Sequence, residues 1–463
     1  TVREAVFMAM VVKNNMQAVN TLNTLNKNQS DLSKSLQKVS SGMKINSAGD
    51  DASGMAISER MRVQVRALDQ DNDNTMNGSA LLRTAEGAVQ STIEILKTLK
   101  EKAINAANDT NTDEDRRLIQ KEVDRLIDQI DDNALTTYNG KYLVDGSKNS
   151  LVIGEGDGGT RSTYANMSLA EDTGLATELV ELKRRDGNDL GIHSSDTITA
   201  SWVRNGVTYT GSISPIGNTT ITGMINIITA THAGYMGNTA MVGIDEYGKE
   251  VYTPDNKPAL TIRSTDAGIE NQVSGITFAV TDNRGHMRNE VNAVLDDFRE
   301  TVRAQNPSED NALTLQTGTR ANQAIKVSFT DMRSAALGLQ SYTGQGWDHG
   351  TLPAGITVVG GGPKVQLTTR EAANAAINVF QNALIKATDQ AVAIGAAQNR
   401  LGYTSSNLVV ASENVQASES TIRDADMAKE MTAYTKHNVL TQSAQAMLAQ
   451  ANQNSSTVLS LLQ

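Results

Sequence analysis

Apolar residues recur at alternating steps of four and three along both ends of this 463-residue chain. Near the start the row is Ala18, Leu22, Leu25, Leu32, Leu36, Val39 and Met43, interrupted once at Gln29. Near the end it is Leu440, Ala444, Met447, Ala451, Val458 and Leu461, with Asn454 in the intervening place. Such spacing lays one narrow stripe down an α-helix and is the pattern of a coiled coil. Upstream, Phe380, Ala387, Ile394, Leu401, Leu408, Val415 and Ile422 recur at every seventh residue. A repeat sustained that far predicts one long helix in a coiled coil or bundle, within the chain or between chains. Terminal helices that bury so little on their own are expected to be disordered in the free chain and to order when neighbours supply the missing surface.

Composition divides the chain in three. Residues 1–140 lack Pro, and so does everything after about 368; all six Pro and both Trp lie between. Helix formers therefore occupy the ends, while turn and strand formers occupy the middle. The expected fold is mainly α with an inserted β-rich or α+β region. Long antiparallel helices from both chain ends form its core, and the central domain projects outward. Strands are expected at Leu151–Gly154 and Ile276–Thr281, and a hairpin over Asp196–Thr210 with an Asn205-Gly206 turn. A helix is expected at about Met287–Ala304, and residues 341–363 read as a long surface loop.

The formal net charge of −11 gives no electrostatic reason to bind nucleic acid or an anionic membrane. No apolar run reaches the roughly 20 residues of a spanning helix. The start, Thr1–Met8, lacks a secretory apolar region and a small-residue cleavage site, so a cleaved signal peptide is not expected. Without Cys, thiol and disulfide chemistry are closed. The five His (His193, His232, His286, His349 and His437) show no metal spacing with one another or with a carboxylate. Gly154–Gly159 formally fits a phosphate-loop pattern, but Glu155 and Asp157 would repel a phosphate, so a turn is expected. Asp69, Asp71 and Asp73 have the spacing that opens a calcium loop, yet Asn74 and Ala80 stand where Gly and Glu are needed; a solvated helix face is the reading. Asp113–Asp115 reads as the charged start of a helix. No cofactor, metal or catalytic group is expected.

Two stretches are more specific. One is Ser40-Ser-Gly-Met-Lys-Ile-Asn-Ser-Ala-Gly-Asp-Asp-Ala-Ser-Gly-Met-Ala-Ile-Ser-Glu-Arg-Met61. The other comprises Asn399-Arg-Leu-Gly402, Glu419-Ser-Thr-Ile-Arg-Asp-Ala-Asp-Met-Ala-Lys-Glu-Met431, Ala449-Gln-Ala-Asn452 and Val458-Leu-Ser-Leu-Leu462. Together with Asp331–Leu339 they closely resemble bacterial flagellin, the subunit of the flagellar filament. The resemblance covers roughly 10–150 and 312–463.

It implies an inner coiled-coil domain from 10–50 with 420–463. A helical shell domain follows from 51–150 with 312–419, with a β-hairpin near Tyr138, and a variable surface domain from 151–311. Residues 1–9 are expected to be a non-native or upstream extension, with Met8 or Met10 the natural start. Gly42, Gly49, Asp50, Asp51 and Gly54 would form the connector between the inner shells. The Gly residues allow changes of direction and the Asp pair caps the next helix.

The implied function is a structural subunit that polymerises for motility, outside the cell, after type III export. Implied partners are other copies, the flagellar cap and hook–filament junction proteins, and an export chaperone on about Met427–Gln463. A host Toll-like receptor that senses flagellin is another, through Lys100, Glu101 and Glu122. Thr98 and Lys102 depart from the activating pattern, so weakened sensing is expected. Other readings are a hook–filament junction protein and a filament subunit whose centre is adhesive. An enzyme carried on the filament would need a metal-binding His pair, and the middle offers only isolated His193, His232 and His286.

Overall fold

The computed structural model describes residues 15–154, 159–229, 233–342, 356–360 and 363–461. The extension at 1–9, the centre of the Gly154–Gly159 motif, and His232 and His349 lie outside them. The chain divides into two compact units. In described residues the first holds 15–73, 318–321 and 404–461, and the second 74–154, 159–229, 233–317, 322–342, 356–360 and 363–403. The expected division at 50/51 and 419/420 therefore runs inside the first unit, and 151–311 shares the second unit with helical segments.

Four helices carry the terminal segments: α1 (Met16–Ser41), α2 (Ala52–Ala106), α7 (Arg370–Arg423) and α8 (Met427–Leu461). At 55 residues, α2 is about 83 Å long at 1.5 Å per residue. In the first unit α1 packs antiparallel to α8. Asn15 Nδ2 donates to the Ala451 carbonyl at 3.1 Å, Asn28 Nδ2 to the Leu440 carbonyl at 3.4 Å, and Lys38 lies 4.0 Å from Glu430. The start of α2 runs antiparallel to the end of α7, with Ser405 bonded to Asn72, Ser412 to Asp69 and Arg423 to Glu59.

In the second unit the first four members of the seven-residue row of α7 lie in a buried core. Phe380, Ala387, Ile394 and Leu401 are fully buried, against Leu82, Val89, Leu96 and Leu99 of α2 and Val123, Ile127 and Ile130 of α3 (Asp113–Ala134). Helix α3 opens with a capping box in which the Thr112 hydroxyl accepts from the Asp115 N–H and Asp115 accepts from the Thr112 N–H. Buried Arg116 donates to the Ala106 and Asn108 carbonyls, satisfying orphan acceptors at the end of α2.

The Tyr138 hairpin is present as β1 (Thr137–Tyr138) and β2 (Lys141–Tyr142). Its turn places Asn139 and Gly140 at φ 49° and 74°, the conformation that Asn-Gly favours. The middle of the chain builds two four-stranded antiparallel sheets. One has the order β10-β4-β5-β14, from Val273–Thr281, Thr197–Arg204, Val207–Ile213 and Ile356–Gly360. The other is β11-β3-β9-β6, from Phe298–Val302, Thr163–Asn166, Ala259–Ser264 and Ala233–Thr239. Strands β4 and β5 are the expected Asn205-Gly206 hairpin, with Trp202 opposite Tyr209 and their rings stacked at 5.6 Å.

Three local expectations fail. The helix at 287–304 stops as α5 (Asn289–Leu295), and Phe298 starts β11 by pairing with Asn166. Leu151–Gly154 makes only isolated bridges, one of them Val152 to Ser308. Within the supposed loop 341–363, the β-branched run at 356–359 joins the edge of β5 as β14; the residues 343–355 and 361–362 fall outside the described set.

Candidate functional site

The stripe expected on α1 is split by the structure between two environments. Ala18, Leu25, Leu32, Val39 and Met43 are half-buried, whereas Leu22 and Leu36 are 44% and 51% exposed. The more covered positions are Thr21, Asn28 and Ser35, each one residue before Leu22, Gln29 and Leu36. Ser35 is the one wholly buried residue of α1.

Helix α8 repeats the arrangement. Ala444 and Ala451 are buried with Thr441, while Leu440 and Met447 stand 39% and 63% exposed. Val458 and Leu461 lie on the same helix, with side chains outside the described set. The residues buried outright between α1 and α8 are therefore small or polar (Ser35, Thr441, Ala444 and Ala451), Leu25, Leu32 and Val39 are half-buried with them, and other apolar side chains stand uncovered beside the seam. Met16, Val19, Val439, Met427 and Met431 are exposed as well. The signal was in the sequence: Thr21, Asn28 and Ser35 are themselves seven apart.

The connector is tightly built. Gly42 closes α1 at φ 70°, its N–H donating to the Lys38 carbonyl. Asp51 Oδ1 accepts from the Ser53 and Gly54 N–H groups and so caps α2. Asp50 Oδ2 accepts from the Asn46 and Ser47 N–H groups and from the Ser47 hydroxyl, bonds that hold its pKa below the usual carboxylate value. Ile45 is buried at 3% and lies against Gly54, where a Cβ would come within 2.8 Å of the Ile45 side chain and 2.4 Å of Asp51. Gly49 meets no comparable obstacle.

Sequence reading missed Arg423. Its Nη1 donates to Glu59 Oε1 at 2.7 Å, its Nε lies 3.0 Å from Met43 Sδ, and its carbonyl accepts from the Lys44 N–H at 2.8 Å.

On the outer helices Lys100 donates to Gln381 at 2.6 Å and Lys102 to Glu122 at 2.7 Å, while Glu101 is exposed. The structure thus engages two of the three expected receptor contacts within the chain.

His193 and His286 do lie near carboxylates, 4.0 Å from Asp196 and 3.3 Å from Asp282; both imidazoles are exposed, and Asp196 is buried and paired with Arg288 at 2.9 Å. Among the described residues no group of three or more His, Cys, Asp and Glu could hold a metal ion. No helix among them is long and apolar enough to cross a membrane. Lys386 is buried 3.1 Å from Glu300; burial lowers its pKa and the carboxylate opposes that shift. The pair ties α7 to β11.

Comparison with known proteins decides the family. The model of the bacterial flagellin N-terminal helical region matches residues 12–149, and that of the C-terminal helical region matches 377–462. The flagellin of Clostridium tyrobutyricum is 33% identical over 450 residues, covering 96% of this chain and 99% of that protein. The chain belongs to the bacterial flagellin family. A flagellin of Bacillus subtilis is 28% identical over 98% of this chain and all of its own length. Among solved structures, FliC from Burkholderia pseudomallei is 19% identical with a TM-score of 0.25, covering 70% of this chain and 99% of that one. As a flagellin, the protein is a structural subunit that polymerises into the flagellar filament used for motility. The filament reading is favoured over the junction-protein reading because full-length relatives are flagellins.

Proposed function

We propose that the uncovered rows on α1 and α8 are the surfaces through which copies of this flagellin pack in the filament. The observation that carries this is that Leu22, Leu36, Leu440 and Met447 stay exposed beside a seam whose buried residues are small or polar. Burying such rows between neighbours contributes roughly 25 cal/mol per Å² of apolar surface. A repeated contact that does not close on itself extends a helical filament. In this reading 10–50 with 420–463 form the inner domain, 51–150 with 312–419 the shell, and 151–311 the surface. Gly42, Gly49, Asp50, Asp51 and Gly54 are the connector, and the chain carries no catalytic activity.

Before assembly the chaperone would cover the row on Met427–Gln463, and the chain would leave through the type III channel to a place outside the cell. The cap and junction proteins would meet it at the ends of the filament. Sensing by the Toll-like receptor would be weakened, because Lys100 and Glu122 are already engaged and Arg is absent at Thr98. A reporter-cell titration giving full potency would overturn that part.

The main test is seeded polymerisation of purified chain, read by electron microscopy. Replacing Leu22 and Leu36 together by Asp should abolish filaments while far-ultraviolet dichroism stays unchanged. Amide exchange over 16–41 should slow markedly on polymerisation. Filaments formed normally by the Asp variant would refute the assignment of these rows.

A further inference from the structure

Two breaks interrupt the helices of the first unit: the connector at 42–51, and residues 424–426 between α7 and α8. They are zipped together. Met43 and Asp424 form an antiparallel bridge, the Ala425 N–H donates to the Gly42 carbonyl at 2.9 Å, and the Lys44 N–H donates to the Arg423 carbonyl at 2.8 Å. Lys44 Nζ reaches the Thr421 carbonyl at 3.4 Å. Asp426 then restarts the chain as α8, accepting from the Ala428 and Lys429 N–H groups.

One side chain joins all three parts. Arg423 is 8% exposed, at the last turn of α7, where a cation is favoured by the helix dipole. It reaches across to Glu59 in the second turn of α2 and lies against the sulfur of Met43 in the connector. Glu59 also receives Arg62, an exposed pair of small worth. A planar guanidinium can serve both Glu59 and Met43 from one fixed plane, and a Lys ammonium cannot.

We propose that Arg423 is a positioning residue for assembly: by locking Glu59 and Met43 it sets the direction in which the α1–α8 pair leaves the α2–α7 fork. This rests on the reading that the rows on α1 and α8 are packing surfaces. If the pair leaves at a varied angle, those rows meet a neighbour in the wrong place, although each helix is intact.

The test uses the full chain in seeded polymerisation, with critical concentration measured by sedimentation and core melting followed in parallel. Arg423→Gln and Glu59→Gln should each raise the critical concentration about tenfold, roughly the worth of one partly buried charge-assisted contact. Melting of the core should not move. Arg423→Lys should fall between. The exchanged pair, Arg423→Glu with Glu59→Arg, should recover most of the loss, which a merely bulky or structural role would not give. An unchanged critical concentration for Arg423→Gln, an exchanged pair no better than its single parents, or a melting loss parallel to the assembly loss would each overturn the proposal. The Leu22→Asp/Leu36→Asp chain run alongside separates the two ideas. If that chain polymerises normally, the packing-surface reading fails, whatever Arg423 does.

Discussion

Helices α7 and α8 carry the same seven-residue spacing and put it to opposite use. In α7, Phe380, Ala387, Ile394 and Leu401 are at most 1% exposed, each filled in by partners within the chain. In α8, Leu440 and Met447 keep much of their surface in water, and the residues buried outright among those described are Thr441, Ala444 and Ala451. The spacing therefore specifies a stripe but not who covers it. What is buried outright tells the two apart: Phe380, Ile394 and Leu401 among others where the chain completes its own core, but among the described residues only Ser35, Thr441, Ala444 and Ala451 where it holds a pair.

The strongest way to break this contrast is to damage the self-sufficient stripe. Phe380→Ala should cost about 3–5 kcal/mol by leaving a cavity that its neighbours cannot fill. Denaturant melting of the soluble chain would register it; a loss below 1 kcal/mol would mean that α7 is no better packed than α8.

A second experiment sharpens the same point by pH. Asp296 Oδ1 accepts from the Phe278 N–H at 2.5 Å, and burial pushes its pKa up to about 7. An unfolded Asp titrates near pH ~3.9. The folded state thus holds its proton more tightly, so stability is fullest below about pH 4 and is lost as the pH rises through about 7. Asp296→Asn keeps the acceptor, should flatten that slope, and should gain roughly 2–4 kcal/mol above pH 7. Melting curves at pH 5 and pH 8 that shift equally in both proteins would reject it.

The smallest effect belongs to the incomplete stripe. Leu22→Ser with Leu36→Ser should change monomer melting by no more than about 0.5 kcal/mol. A large drop in that measurement would mean that the rows are already buried in the free chain.

Much of the architecture could be read in the sequence, because heptads, Pro placement and Asn-Gly turns are local signals. Helices α1, α7 and α8 and the Asn205-Gly206 hairpin follow from them, while the Tyr138 hairpin follows from the resemblance to flagellin. The misses share a cause in distant pairing. Val291, Val294, Leu295 and Phe298 have helical spacing, yet Phe298 is drawn into a strand by Asn166, more than a hundred residues away. At the candidate site the rows were legible and their partition was not, since Thr21, Asn28 and Ser35 look like solvent positions until α8 is laid against them. Arg423 escaped notice because its partners, Met43 and Glu59, lie at the far end of the chain.

The amides of Asn15 and Asn28 each hold a carbonyl of α8, at Ala451 and Leu440. Small polar seams slide easily, since every heptad looks alike to Ala and Ser. Sliding by one heptad would carry these amides about 10.5 Å from their acceptors. The two Asn thus act as alignment pins, fixing the register of α1 on α8 while contributing almost nothing to the cohesion of the pair.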